Sequence, residues 1–259
     1  MEIKRTFDLL DYYAKHYMVD DALAVKRNKK WDVFSTQEYI DNSHYFAYGL
    51  MELGFIKGGK IATVSNNRPE WNFIDMGLAM AGMVHVPIYP TISDAEYAFI
   101  FDNSESKSLI VSDKALYKKL KPIADASEGI KTVYTINEVE DTQNYDTIIK
   151  LGKANAGKHT ANLKAIKDSI TPADLVTIIY TSGTTGNSKG VMLSHDNLVS
   201  NFVSTSKVQP LEFGHKVLSF LPLCHVYERM MNYHFQYKGL RIYYAENMAT
   251  IAENIKEIK

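Results

Sequence analysis

The chain of 259 residues contains a single cysteine, Cys224. One cysteine excludes a disulfide within the chain and a cysteine-rich metal site, and no other metal-ligand set is predicted. The chain also lacks any apolar run near the ~20 residues that a membrane span requires, and its first residues do not follow the pattern of a signal peptide. These absences predict a cytoplasmic protein, and they leave a peripheral contact with a membrane open.

An excess of either charge is also missing. The 29 Lys and Arg residues are balanced by 30 Asp and Glu residues, and the two signs are interleaved along the chain. Without a basic face, nucleic acid is not an expected partner. The hydrophobic content of 46% is enough for a core, so the length predicts one large domain or two lobes. The oligomeric state stays open.

Apolar runs alternate with patterns of helical spacing. Strands are predicted at residues 61–64, 84–89, 109–111, 132–135, 175–180, 191–193, 217–220 and 241–244. Helices are predicted at residues 7–17, 71–81, 196–204 and 226–236, and after two capping boxes that begin at Ser35 and Ser93. This alternation predicts an α/β fold with mainly parallel sheets covered by helices on both faces. The polar segment 137–170 is the best candidate for a lobe boundary or a surface excursion.

The most informative segment lies between two of the predicted strands. Residues 181–190 read Thr-Ser-Gly-Thr-Thr-Gly-Asn-Ser-Lys-Gly. Glycines let the backbone approach an anion closely, hydroxyl groups add donors, and Lys189 can neutralise phosphate charge. The segment therefore has the composition of a phosphate-binding loop.

Two better-known loops are excluded by spacing. A Walker loop requires glycine directly before its lysine, where this chain has Ser188, and a Ser or Thr after it, where this chain has Gly190. The segment also lacks the G-x-G-x-x-G spacing of dinucleotide folds. A surface turn of a hairpin is the structural alternative for a loop of this composition.

Residues 180–195 closely resemble the phosphate-loop motif of the adenylate-forming enzymes, which include acyl-CoA synthetases, luciferases and adenylation domains of peptide synthetases. Residues 222–229, Pro-Leu-Cys-His-Val-Tyr-Glu-Arg, resemble the next motif of that family in its long-chain fatty acyl-CoA synthetase branch. Residues 66–71, 82–91 and 110–112 also resemble this branch. Two ordered motifs about 40 residues apart make the resemblance specific.

The resemblance implies a fold and a domain organisation. The chain would form part of the large N-terminal domain of the adenylate-forming fold, with residues 1–170 in a first lobe and residues 171–259 at the start of a second lobe. Members of the family continue for roughly as many residues again. We therefore expect an N-terminal portion of a longer enzyme, without the remaining core and the C-terminal domain, that is inactive alone.

The resemblance also implies an activity, which is the ATP-dependent conversion of a long-chain fatty acid to acyl-AMP and then acyl-CoA. ATP, Mg²⁺ and coenzyme A would be the co-substrates, and fatty acid and nucleotide the partners. Two alternatives are transfer of the acyl group to a carrier-protein thiol and a non-catalytic nucleotide-binding module. The nucleotide phosphates would be bound by Thr181, Ser182, Gly183, Thr184, Thr185, Gly186 and Lys189.

Lys189 and His225 are the predicted catalytic residues, and the resemblance puts His225 at the mouth of the acyl pocket. Cys224 and His225 cannot form a nucleophile and base pair, because adjacent residues of an extended segment point to opposite faces. Glu228 and Arg229 are expected to pair with each other or with neighbours on the helix surface, the usual state of such charges, with a ligand role as the alternative. The side chains expected to support the loop are Asp174, Tyr180 and His195.

Overall fold

The computed structural model describes residues 2–181 and 188–258, which form two sheets and their covering helices. The strands are β1 (Leu23–Arg27), β2 (Lys30–Phe34), β3 (Lys60–Val64), β4 (Val84–Ile88), β5 (Ser108–Val111), β6 (Thr132–Thr135), β7 (Gln143–Asn144), β8 (Leu175–Thr181), β9 (Lys189–Ser194), β10 (Lys216–Ser219) and β11 (Arg241–Tyr244). The helices are α1 (Asp8–His16), α2 (Thr36–Glu52), α3 (Pro69–Met80), α4 (Asp94–Ser104), α5 (Lys114–Ala126), α6 (Tyr145–Ala154), α7 (Ala156–Asp168), α8 (His195–Thr205), α9 (Val226–Tyr237) and α10 (Ile251–Glu257). A short 3₁₀ helix, Met248–Thr250, precedes α10.

The larger sheet has seven strands in the order β7-β6-β5-β3-β4-β8-β9. Its strands are parallel except for β9, which runs antiparallel to β8. The smaller sheet has the order β10-β11-β1-β2, in which only β2 is antiparallel to its neighbour. These two sheets confirm the predicted α/β class with mainly parallel sheets.

Local sequence signals explain where several helices begin. Ser35 caps α2, because its side chain accepts a hydrogen bond from the backbone N–H of Glu38 while Glu38 accepts one from the backbone N–H of Ser35. The same reciprocal pair joins Ser93 and Glu96 at the start of α4. Both predicted capping boxes are therefore confirmed.

The polar segment 137–170 is folded into β7 and the helices α6 and α7, which sequence reasoning did not predict. Helix α6 packs closely on α2, and glycine makes this approach possible. A Cβ atom at Gly152 would lie 1.8 Å from the carbonyl oxygen of Tyr45, and one at Gly49 would lie 2.1 Å from that of Ile148. Each sheet contains strands from both sides of residue 170, so a boundary there does not separate the sheets.

Candidate functional site

A cavity of about 310 Å³ opens where β4 and β8 reach their C-terminal ends. In parallel α/β sheets, ligands bind outside the carboxyl ends of the strands. The wall is mainly aliphatic and aromatic, with a few polar groups. It is formed by Ile88, Tyr89, Ile92, Glu96, Ile100, Ile179, Tyr180, Thr181, Ser188, His225 and Val226. An apolar cavity with a few convergent polar groups is the usual form of a small-molecule site.

The two ends of the predicted phosphate loop stand side by side beside this cavity. Thr181, the last residue of β8, pairs with Lys189, the first residue of β9. The segment therefore connects an antiparallel pair of strands, with Thr181 and Ser188 on the cavity wall and the Lys189 side chain exposed. The predicted phosphate ligands Ser182, Gly183, Thr184, Thr185 and Gly186 lie outside the described residues.

Residue 190, just after the loop, is a glycine because neighbouring side chains leave no room for a Cβ atom there. It stands opposite Tyr180 in the β8–β9 pair. A Cβ atom there would lie 2.9 Å from Cγ2 of Ile178 and 3.2 Å from Cζ of Tyr180. The Tyr180 hydroxyl donates to Oδ1 of Asn103 on α4 at 2.7 Å. Glycine thus lets the Tyr180 ring lie against β9 while its hydroxyl binds α4, beside the cavity.

His225 also lines the cavity, at the N-cap position of α9. Its Nδ1 accepts a hydrogen bond from the backbone N–H of Tyr227 at 3.2 Å and so caps the helix. This bond assigns the proton of the neutral ring to Nε2. The ring lines the cavity and lies edge-on to Tyr89, with centroids 6.3 Å apart. His225 therefore combines an N–H donor, Nε2, with a helix N-terminus, and both favour an anion.

Glu96 is a cavity residue that the sequence analysis treated only as a helix cap. Its Oε1 accepts a hydrogen bond from the Ser188 hydroxyl at 3.4 Å, next to Lys189. Hydrogen bonds from the backbone N–H and hydroxyl of Ser93 lower the pKa of Glu96. The carboxylate is thus held ionised within reach of the loop. The Ser93–Glu96 capping box located this residue in the sequence, but gave no sign that it faces a cavity.

The neighbours of His225 do not supply a nucleophile. Cys224 is buried, and its burial raises the pKa of the thiol to about 12. The reactive form of cysteine is the thiolate, so this thiol is inert at neutral pH.

The expectation that Glu228 and Arg229 pair on the helix surface is wrong, because both side chains are buried. Glu228 accepts a hydrogen bond from the Ser219 hydroxyl at 2.5 Å, and its burial raises the pKa of its carboxyl group. Arg229 binds Asp75 of α3 and the hydroxyl oxygen of Thr177 of β8. Neither residue lines the cavity.

The predicted supporting residues differ in their surroundings. His195 is buried, and its Nδ1 accepts a hydrogen bond from the backbone N–H of Thr6 at 3.1 Å. Asp174 lies near the surface, where its carboxylate accepts from the Thr171 hydroxyl at 2.7 Å and forms an ion pair with Lys57.

A second cavity, of about 330 Å³, shares Tyr89 with the first and lies between the two sheets. Its wall includes Asn66 and Asn67 after β3, Pro222 before α9, and residues 245–248 after β11. The Asn67 side chain donates to the carbonyl oxygen of Leu221 at 2.6 Å and accepts from the backbone N–H of Leu223 at 2.9 Å. These bonds tie the segment that carries His225 to the larger sheet.

Within residues 2–181 and 188–258, no group of three or more His, Cys, Asp and Glu side chains could hold a metal ion. The helices of that same part of the chain are all too short or too polar to cross a membrane.

A family model described as AMP-binding enzyme matches residues 11–259. Among curated proteins, the chain is 29% identical over 248 residues to the long-chain-fatty-acid–CoA ligase ACSBG2 of Xenopus laevis, covering 92% of this chain and 34% of the relative. It is 30% identical over 250 residues to fatty acyl-CoA synthetase A of Dictyostelium discoideum, covering 87% of this chain and 35% of the relative. The chain thus spans about a third of the length of these relatives.

Solved structures share the fold. The chain superposes on a long-chain-fatty-acid–CoA ligase, FadD1, of Archaeoglobus fulgidus with a TM-score of 0.81 at 23% identity, covering 99% of this chain and 50% of that one. It superposes on the N-terminal domain of FACL13 of Mycobacterium tuberculosis with a TM-score of 0.78 at 20% identity, covering 98% of this chain and 61% of that one. The described architecture is therefore that of the N-terminal domain of adenylate-forming enzymes.

Proposed function

Because the chain belongs to the AMP-binding enzyme family, we propose that it carries the phosphate-binding and acyl-binding part of an enzyme that activates fatty acids with ATP. In the first step, a carboxylate oxygen of the fatty acid forms a bond to the α-phosphorus of ATP, and the bond to pyrophosphate breaks. In the second step, the sulfur of coenzyme A forms a bond to the acyl carbon, and AMP leaves. The names of both curated relatives support a fatty acid as substrate, and that of the Xenopus laevis relative supports a long-chain one.

The cavity wall is the observation that carries this proposal. It combines an apolar surface with Thr181 and Ser188 at the ends of the phosphate loop and with His225 at the start of α9. At about 310 Å³, it is at the lower end of the ~300–1,000 Å³ usual for ligand sites. An acyl chain along Ile88, Ile100 and Ile179 would bring its carboxylate toward these polar groups.

The first step needs no general base, because a fatty acid carboxylate is already ionised at neutral pH. The protein must therefore align the reacting atoms and stabilise charge. We assign His225 to the acyl carboxylate, with Nε2–H as the donor, and the N-terminus of α9 adds its positive end. This donor would orient one carboxylate oxygen and leave the other directed at phosphorus.

We assign the pyrophosphate side of ATP to the loop. Thr181 offers a hydroxyl donor and Lys189 a positive charge, and the β8–β9 pairing keeps the two residues adjacent. Charge that develops on the leaving pyrophosphate would be stabilised by Lys189 and by the loop residues 182–186. Magnesium would enter on the ATP phosphates, since Mg²⁺ commonly uses substrate phosphates and only one or two carboxylates as ligands.

The test is fatty acid-dependent exchange of labelled pyrophosphate into ATP, measured on the purified chain and on the product of the complete reading frame that contains it. We expect exchange with long-chain fatty acids from the complete product. Thioester formation with coenzyme A, compared with a carrier-protein thiol, then identifies the acceptor. Absence of exchange with every fatty acid, in a folded complete product, would refute the proposed function.

A further inference from the structure

A buried polar network lies beneath the cavity. The Asp75 carboxylate accepts hydrogen bonds from Nδ1 of His85 at 2.7 Å, from the Arg229 guanidinium and from the Tyr233 hydroxyl. Arg229 also donates to the hydroxyl oxygen of Thr177 at 2.6 Å. Each of these five side chains is at most 2% exposed.

The network is fully connected. The Thr177 hydroxyl donates to the backbone carbonyl of His85 at 2.8 Å, and Nε2 of His85 lies 2.7 Å from the hydroxyl oxygen of Thr63. Burial opposes the ionisation of Asp75, but Arg229 and the His85 N–H outweigh it and lower the pKa of this carboxyl group. Burial lowers the pKa of His85 despite its hydrogen bond to Asp75, so the ring is neutral. The network therefore contains one charge pair, Asp75 and Arg229.

Three of the joined elements continue directly to the cavity. His85 belongs to β4, which leads to Ile88 and Tyr89, and Thr177 belongs to β8, which leads to Thr181. Arg229 lies one turn into α9, where its backbone N–H donates to the carbonyl of His225 at 3.1 Å. The network thus connects the three elements that carry Tyr89, Thr181 and His225.

Stability alone is a weak reason for such a network. Replacing a buried ion pair by uncharged residues of similar volume is often neutral or stabilising, whereas its fixed geometry can specify one arrangement of the elements it joins. Arg229 suits this role because its planar guanidinium donates to Asp75 of α3 and Thr177 of β8, and also to Tyr233 of its own helix.

We propose that Arg229, held by Asp75 and Thr177, is a positioning residue that fixes His225, the N-cap of α9, relative to Tyr89 and Thr181 on the cavity wall. This inference rests on the proposed function for its kinetic consequence, but its structural consequence stands without it. Arg229 does not line this cavity, so it acts on the reaction through the residues that it positions, of which His225 is on its own helix.

Three variants test the inference by disturbing the buried network to different extents. Thr177→Val removes one acceptor of Arg229, Arg229→Lys keeps the charge but loses the planar set of donors, and D75N/R229M removes both charges together. Arg68→Lys is the matched control, because Arg68 is also a buried arginine paired with a carboxylate, that of Glu70, and does not line the cavity of His225. Thermal unfolding of every variant establishes that it is folded.

In the complete product, misplacing a reacting group by about 1 Å can reduce the rate about 100-fold. For Arg229→Lys and D75N/R229M we therefore expect kcat for adenylation to fall by about 10- to 100-fold, with KM for ATP changed less than about threefold. Thr177→Val should shift kcat in the same direction by a smaller factor, and Arg68→Lys should leave it unchanged. A folded D75N/R229M protein with kcat within about twofold of the parent would overturn the inference.

A second measurement does not depend on activity. In the parent protein, nuclear Overhauser contacts between the rings of Tyr89 and His225 are expected from their edge-on arrangement. These contacts should weaken or vanish in folded Arg229→Lys and D75N/R229M, and persist in Arg68→Lys. Contacts that persist in all folded variants refute positioning through His225, even where kcat falls. Absence of exchange in the parent refutes the proposed function alone, and the ring contacts then decide the inference.

Discussion

The rings of Tyr89 and His225 meet edge-on at the cavity wall, with centroids 6.3 Å apart. Tyr89 follows β4 of the larger sheet, whereas His225 belongs to the segment that connects the smaller sheet to α9. The contact therefore joins the two sheets at the wall of the candidate cavity. Substitutions in this region should separate effects on the acyl group from effects on the nucleotide.

His225→Ala should impair use of the fatty acid more than affinity for ATP. A hydrogen bond to a charged group is worth about 1.5–3 kcal/mol, which corresponds to about a 10- to 100-fold loss in kcat/KM for the acid. Steady-state kinetics with acids of several chain lengths measures this loss. His225→Gln is the control, because its amide restores a donor near Nε2. A defect confined to the KM for ATP would contradict the assignment.

Lys189→Ala should reduce acyl-adenylate formation by about 100- to 1,000-fold, or roughly 3–4 kcal/mol of transition-state stabilisation, because it removes a positive charge from the pyrophosphate side. The side chain is exposed, so the free energy of unfolding should stay within about 0.5 kcal/mol of the parent. Pyrophosphate exchange and denaturant unfolding provide the two measurements. Lys189→Arg keeps the charge and should retain most activity, and unchanged exchange in Lys189→Ala would be inconsistent with a phosphate contact.

Gly152→Ala should destabilise the fold by about 1–3 kcal/mol, because the added methyl group would force α6 away from α2. A Cβ atom at this position would lie only 1.8 Å from the carbonyl oxygen of Tyr45. Gly157→Ala, in α7, is the matched control, since a Cβ atom there meets nothing within 4 Å. The control should be neutral or stabilising by up to about 1 kcal/mol, because alanine favours helix. Urea unfolding of both variants tests the close packing of α6, and equal stabilities would argue against it.

Lowering the pH should decrease the free energy of unfolding, because His195 is buried in the folded state. Burial lowers the pKa of its imidazole to about 4, while the unfolded chain has a value near ~6.5. Between these pH values the unfolded state binds more protons than the folded state, so stability falls as the pH decreases. The full contribution, roughly 3 kcal/mol, is present above pH ~6.5 and is lost as the pH falls to about 4.

His195→Asn isolates this contribution. Asparagine keeps an acceptor near the Nδ1 position, where the backbone N–H of Thr6 donates, but it does not titrate. The free energy of unfolding, measured in urea at several pH values from 4 to 7, should therefore decrease less steeply for the variant than for the parent. Identical slopes would show that another group causes the acid sensitivity.

Helix starts and single strands could be predicted, because they depend on residues that are close together in the sequence. The capping boxes at Ser35 and Ser93 and the apolar strand before Thr181 are encoded by neighbouring residues. The β1–β2 hairpin was missed because its turn uses Asn28 and Lys29 in the left-handed region, with φ of 49° and 65°. Asn-Lys is a weaker hairpin signal than Asn-Gly.

The candidate site was only partly predictable for a different reason. Short motifs identified His225 and the loop, but the burial of Arg229 depends on Asp75, which lies 154 residues earlier in the chain. One signal was available, since Asp75 is a lone carboxylate among the apolar residues that follow Trp71 in α3. A buried carboxylate requires a partner, but the sequence does not identify it.

The smaller sheet also determines the order in which this chain can fold. Its strand β1 pairs with β11, and Leu23 of β1 is aligned with Ile242, about 200 residues later. Until β11 has been synthesised, β1 and β2 therefore form only a two-stranded hairpin, which by itself is at best marginally stable in water. The sheet can be completed only after β11 has left the ribosome, because β1 pairs with β11. We expect this late closure to make folding slow. Bringing distant residues into contact closes a long loop, and the chain loses conformational entropy before the contact stabilises it.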